Sequence, residues 1–138
     1  MPNFAFDDSN IAWRRLEGVD HLWLCVRDID DDAGILHVLF KFAANEKILL
    51  HRHKTLNKTF VIQGEHRVYH ANHEIKEIRP VGSYKVSPPS DDPHREGGGD
   101  QDVVVFFTIY GKGVLYEILD DEQAVVGVLT VEDFRALL

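Results

Sequence analysis

Two histidines separated by one residue, His51 and His53, stand at the head of a strand-like run, HRHKTLNKTFVIQG. In a strand, residues i and i+2 face the same way. The two imidazoles therefore project side by side and can share one metal ion, at about 2.0–2.1 Å from each nitrogen if the ion is zinc. The same pair also suits a solvated surface on either side of Arg52, so the spacing alone leaves both readings open. A further histidine, His94, lies in the later segment SDDPHREGGGDQ (90–101), and His66, His70 and His73 form a second cluster in HRVYHANH. In that cluster His66 and His70 share a strand face with Val68; a position of one of them near the metal is one reading, and a group titrating at the surface is the expectation. His21 and His37 read as ordinary strand residues.

Asn57 follows His53 by four residues. Its amide oxygen is a weak ligand for a soft or borderline metal, and the ammonium of its neighbour Lys58 has no lone pair to offer. The polar run Lys54–Lys58 reads as a loop, so Asn57 is expected to stay outside the ligand set. Glu96, two residues past His94, is a candidate neighbour of the ion, but a loop carboxylate is expected to be solvated.

The elements that must hold these residues are short strands. Residues 22–26, 35–42, 59–63, 66–70, 74–78, 83–87, 103–110, 114–119 and 124–129 each carry β-branched, aromatic or alternating apolar residues and are bounded by turn signals such as Gly64-Glu65, Ala71-Asn72 and Pro88-Pro89. In ILHVLFKF (35–42), Leu36, Val38, Phe40 and Phe42 form one apolar face. The acidic run 28–32 reads as a turn, and 90–101 has the highest turn propensity in the chain. VVVFFTIY (103–110) is apolar on both faces and reads as a central strand covered on both sides. At the end, Thr130 can cap a helix over 131–137, with acids in its first turn and Leu129 and Phe134 as a hydrophobic staple. Some nine strands at about ten-residue spacing indicate an all-β sandwich or small jelly-roll barrel with a short C-terminal helix. No linker divides the 138 residues, and one domain is expected. Residues 1–20 form an arm whose Phe4, Phe6, Ile11 and Trp13 suit packing on the core. Either this arm or a second subunit must cover the outer face of 103–110, and a homodimer is expected.

The formal charge of −8 argues against a nucleic-acid partner, which would require a basic face. Cys25 is the sole cysteine, so no internal disulfide forms, and its apolar neighbours mark it as a small buried hydrophobe. No run reaches the roughly 18 apolar residues of a membrane span, and the acidic N-terminus lacks the basic region of a signal peptide. No membrane association and a cytoplasmic location are expected.

Over about residues 45–98 the chain resembles the cupin superfamily. The first cupin motif runs glycine, five residues, H-x-H, three or four residues, glutamate, six residues, glycine. Asn45 takes the first glycine position, His51 and His53 fill H-x-H, Asn57 stands where the glutamate belongs, and Gly64 closes the motif. In the second motif Gly82 and Pro88 match, Ser90 replaces a glycine, His94 arrives one residue late and Gly98 replaces an asparagine. The resemblance implies a jelly-roll barrel in which His51, His53 and His94 bind one divalent metal ion, with Fe(II) favoured and Zn(II) or Ni(II) alternatives. The three-histidine pattern is similar to the acetylacetone-cleaving dioxygenase group. It implies a small-molecule substrate, a β-dicarbonyl or related ketone, cleaved at a carbon–carbon bond. The chain also resembles the zinc-binding cupin domain of an anti-sigma-factor family, which implies a sensing or binding module without catalysis.

Overall fold

The computed structural model describes residues 5–138; Phe4, named above as part of the arm, lies outside them. Its strands are β1 (Leu22–Asp30), β2 (Ile35–Phe42), β3 (His51–His53), β4 (Asn57–Gln63), β5 (His66–His70), β6 (Ile75–Arg79), β7 (Tyr84–Ser87), β8 (His94–Gly98), β9 (Val103–Tyr110), β10 (Val114–Leu119) and β11 (Val125–Thr130), followed by the helix α1 (Val131–Arg135). They form two antiparallel sheets, of order β1-β2-β9-β4-β7 and β11-β10-β3-β8-β5-β6. This is the all-β jelly roll with a short C-terminal helix that the strand pattern predicts.

The two-residue period builds the core. Leu36, Val38, Phe40 and Phe42 of β2 and Val103, Val105, Phe107 and Ile109 of β9 face inward and pack between the sheets. β9 lies in the middle of its sheet, paired with β2 and β4. Its outer residue Val104 is 1% exposed and clusters with Cys25 and Leu39 under Phe6, Ile11, Trp13, Ile62 and Phe106. The described part of the arm therefore covers this face. It is pinned by the backbone pairing of Arg14 with Leu24 and by Lys41 of β2, whose Nζ donates to Asp8 at 3.3 Å. Thr130 caps α1 as expected: its side chain accepts from the Asp133 backbone N–H while the Asp133 carboxylate accepts from the Thr130 backbone N–H, and Val131 and Phe134 are buried.

Two local expectations are corrected. The acidic run 28–32 is strand as far as Asp30, with a register shift between Val26 and Asp28 and the reversal at Gly34 in the left-handed region. The segment expected to be the most turn-like contains β8, in the interior of the six-stranded sheet between β3 and β5. Its glycines serve close packing rather than turning: a Cβ on Gly97 would overlap the Glu46 carbonyl. Hydrogen bonds from Ile48 N to Glu96 O (2.9 Å) and from Gly98 N to Ala43 O (3.1 Å) bind the 43–48 segment against it.

Candidate metal centre

β3 is only three residues long but is paired on both sides. Tyr116, Glu117 and Ile118 of β10 oppose His53, Arg52 and His51, and His51 opposes His94 of β8. Alternation sends Arg52 outward, where its Nε donates to Glu117 at 2.7 Å, and turns His51 and His53 into the barrel at 4% and 7% exposure. On β8 the same period places His94 and Glu96 on one face, the barrel face they share with His51 and His53 of β3. The ligand atoms of His51, His94 and Glu96 lie within 4.8 Å of one another. The His53 ring stands beside this group, its centroid 5.7 Å from that of His94.

Glu96 is the hub. One carboxylate oxygen, Oε2, is 2.8 Å from His51 Nε2 and 3.5 Å from His94 Nε2, while Oε1 is 2.9 Å from His66 Nε2. The expected solvated loop carboxylate is thus corrected to a buried one, because residue 96 belongs to a strand and not to a loop. Of the second histidine cluster, His70 and His73 are exposed as expected, but His66 is wholly buried and stacked on Phe42. That correction follows from strand parity: β5 turns His66 and Val68 inward, and His66 registers with Gly98. The sequence held a signal for Glu96, since H-x-E on a strand puts both side chains on one face; it is readable only once 94–98 is known to be a strand.

The environment sets the protonation states. Burial disfavours a charge on His51, but the hydrogen bond and charge of Glu96 outweigh it and raise the imidazole above its ordinary value. Burial likewise opposes ionisation of Glu96, yet the hydrogen bonds of His51, His66 and His94 together hold it well below the usual carboxylate range. For His94 burial outweighs the hydrogen bond and charge of Glu96, the neighbouring His51 and His53 add to the effect, and the imidazole is pushed down to about 4. Burial also lowers His53.

The donor set fits a metal ion. His51 Nδ1 lies 3.0 Å from the Leu49 carbonyl and His53 Nδ1 lies 2.9 Å from the Thr55 carbonyl. A carbonyl only accepts, so both Nδ1 atoms carry the proton, and the neutral rings are left with Nε2 lone pairs aimed inward. Such backbone anchoring is how metal-ligating imidazoles are oriented. The His51 lone pair then meets a carboxylate oxygen, an arrangement that requires a cation between or beside them: a proton in the metal-free protein, a metal ion in the loaded one.

Asn57, expected in a loop, instead begins β4 and is 3% exposed. Its Nδ2 donates to the Thr55 carbonyl at 3.1 Å, and its Oδ1 accepts a short hydrogen bond from the Tyr116 hydroxyl. Both ends of the amide are therefore committed to protein groups. On one side of the centre, His51, Glu96 and Tyr116 face an apolar cavity of about 40 Å³ walled by residues such as Leu22, Phe40, Phe42 and Phe134. On the other side, His53 and His94 open onto a vestibule of about 360 Å³ between the edge strands β6 and β7.

No family model matches the chain, and no curated protein matches it in sequence. Solved structures do match in fold. An RmlC-like cupin protein from Ralstonia eutropha JMP134 superposes with a TM-score of 0.75 at 18% identity, over 99% of this chain and 84% of that one. An acetylacetone dioxygenase from Acinetobacter johnsonii superposes with a TM-score of 0.75 at 13% identity, over 99% of this chain and 91% of that one. The DMSP lyase DddQ from Ruegeria pomeroyi DSS-3 superposes with a TM-score of 0.58 at 16% identity, over 75% of this chain and 57% of that one. Taken with the inward-facing His51, His94 and Glu96, these likenesses identify the chain's architecture as the cupin fold.

Proposed function

We propose that the chain is a metal-dependent cupin, a non-haem Fe(II) dioxygenase that cleaves a carbon–carbon bond of a small β-dicarbonyl-like substrate. The observation that carries this reading is the donor set His51, His94 and Glu96, two histidines and a carboxylate, the combination that non-haem Fe(II) oxygenases use with open positions. His53 is the further ligand from the H-x-H pair. The acetylacetone dioxygenase among the structural neighbours supports the same chemistry by analogy of fold. The carboxylate that the first cupin motif lacks at Asn57 comes in this reading from Glu96 on another strand.

An Fe(II) ion bound there supplies Lewis acidity and the one-electron chemistry of dioxygen. The chain's own residues do the rest. Leu49 and Thr55 carbonyls fix the two imidazoles of the H-x-H pair. The vestibule admits the substrate past Lys76, Arg79 and Lys85, three cations against Glu77 and Asp92, so it favours an enolate over its neutral form even though the chain is acidic. The apolar wall excludes water and strengthens each polar contact within the barrel. Tyr116, tied to Asn57, sets a fixed hydroxyl on the His53 and His94 side of the centre, and burial and the Glu96 charge oppose its ionisation.

Glu96 also favours a second reading. With His51, His53 and His94 it completes four protein ligands, which is a closed tetrahedral set for zinc, and the chain then acts as a zinc-bound binding or sensing module. Metal analysis of protein purified without chelator, followed by oxygen uptake with a panel of β-dicarbonyls, separates the two. Iron with substrate-dependent uptake is the expected result; stoichiometric zinc with no uptake in the iron-reconstituted protein overturns the dioxygenase reading.

A further inference from the structure

His66 is not among the residues whose ligand atoms converge on a metal position, yet it is fully buried and in contact with one that is. Its Nε2 lies 2.9 Å from Glu96 Oε1, the oxygen turned away from His51 and His94. Its other nitrogen, Nδ1, is buried and has no hydrogen-bond partner among the described residues. The ring stacks on Phe42 with centroids 5.3 Å apart and planes at 17°. A phenylalanine would make the same stack without leaving a nitrogen orphaned, so packing does not explain the imidazole. The contact with Glu96 does: with Nδ1 bare, Nε2 carries the hydrogen and donates it to Oε1.

We propose that His66 is a positioning residue that holds Glu96 by one oxygen so that only Oε2 faces the metal. This inference rests on the reading of the site as a metal centre. Oε1 is occupied by the Nε2–H, so the carboxylate binds through a single oxygen and leaves a neighbouring coordination position for an incoming ligand. Glu96 reaches the site from β8 and His66 from β5, its immediate neighbour in the sheet, so backbone pairing fixes the distance between them. The hydrogen bond is the outer-shell support that ligating carboxylates characteristically receive.

The test is a double-mutant cycle on Co(II) affinity, measured by competition with a chelating dye. The proteins are wild type, His66→Phe, Glu96→Gln and the double variant, with His66→Gln as the conservative replacement because its amide nitrogen can reach where Nε2 stood. His66→Phe is expected to weaken Co(II) binding about 10–100-fold, with little effect in the Glu96→Gln background, and His66→Gln is expected to restore most of the loss. The visible spectrum of bound Co(II) should change in His66→Phe and return in His66→Gln. Unfolding of each metal-free variant confirms that the folded state is the one measured. An equal loss in both backgrounds shows a merely structural effect and overturns the proposal, as does no loss in wild type. Unchanged affinity in Glu96→Gln removes the carboxylate from the ligand set and sinks this proposal while leaving a three-histidine centre standing. A folded wild type that takes up no Co(II) overturns the metal reading and, with it, the role of His66.

Discussion

Glu96→Gln in metal-free protein probes the charge around which the barrel histidines are arranged. The carboxylate is 6% exposed and lies 2.8 Å from His51 and 2.9 Å from His66. Removing one partner of a buried ion pair costs about 3–5 kcal/mol. Glutamine keeps the shape and some hydrogen bonding, and His51 can respond by losing its proton, so the lower end of that range, about 3 kcal/mol, is expected. The pH dependence follows from the direction of each shift. The folded pKa of His51 is raised above 6.5, so its contribution is complete below 6.5 and fades as the pH rises through the folded value. Glu96 is depressed well below 4.5, so its contribution is complete above 4.5 and fades as the pH falls through that lower value. The pair therefore stabilises most between 4.5 and 6.5. Urea unfolding of chelator-treated protein at about pH 5.5 should place the Glu96→Gln midpoint about 1–3 M below that of wild type, given the usual slope of about 1–3 kcal/mol per M for small proteins. At about pH 8.5 the gap should shrink as His51 surrenders its proton. A gap that is the same at both pH values, or a variant that is the more stable at pH 5.5, would refute the charged His51–Glu96 pair.

Three further outcomes are expected. His94→Ala should lower metal content in purified protein far more than His73→Ala, because His94 stands within the donor group and His73 is exposed; equal retention in both takes His94 out of the ligand set. Asn57→Ala should keep its metal yet lose about 1–3 kcal/mol of stability, since the buried Tyr116 hydroxyl is left without its acceptor; metal loss as complete as in His53→Ala moves Asn57 into the ligand set. Light scattering at micromolar concentration should find a homodimer, with Phe60, Tyr84 and Val86 the exposed apolar residues that remain beyond the arm on β4 and β7; a monomer leaves the arm as the whole cover of the outer face of β9.

What could be read from the sequence alone is what depends on neighbours in the chain. The alternation of ILHVLFKF and the two-faced run VVVFFTIY specify strands 35–42 and 103–110, and the observed β2 and β9 have those bounds. H-x-H places His51 and His53 on one face by parity alone, and Thr130 with Asp133 closes the capping box within four residues. Other features depended on residues far apart in sequence. The stretch 90–101 has the composition of a loop, and it becomes strand because β3 and β5 flank it and the 43–48 segment closes onto Gly97 and Gly98. Only that pairing brings Glu96 beside His51, so local composition conceals the carboxylate of the site. His66 lies 30 residues from Glu96 and Asn57 lies 59 from Tyr116; the first pair is made by the register of β5 on β8, the second by the packing of one sheet on the other. Local propensity sets which residues alternate in and out, but long-range strand pairing sets which inward residues meet, and the chemistry of this barrel resides in those meetings.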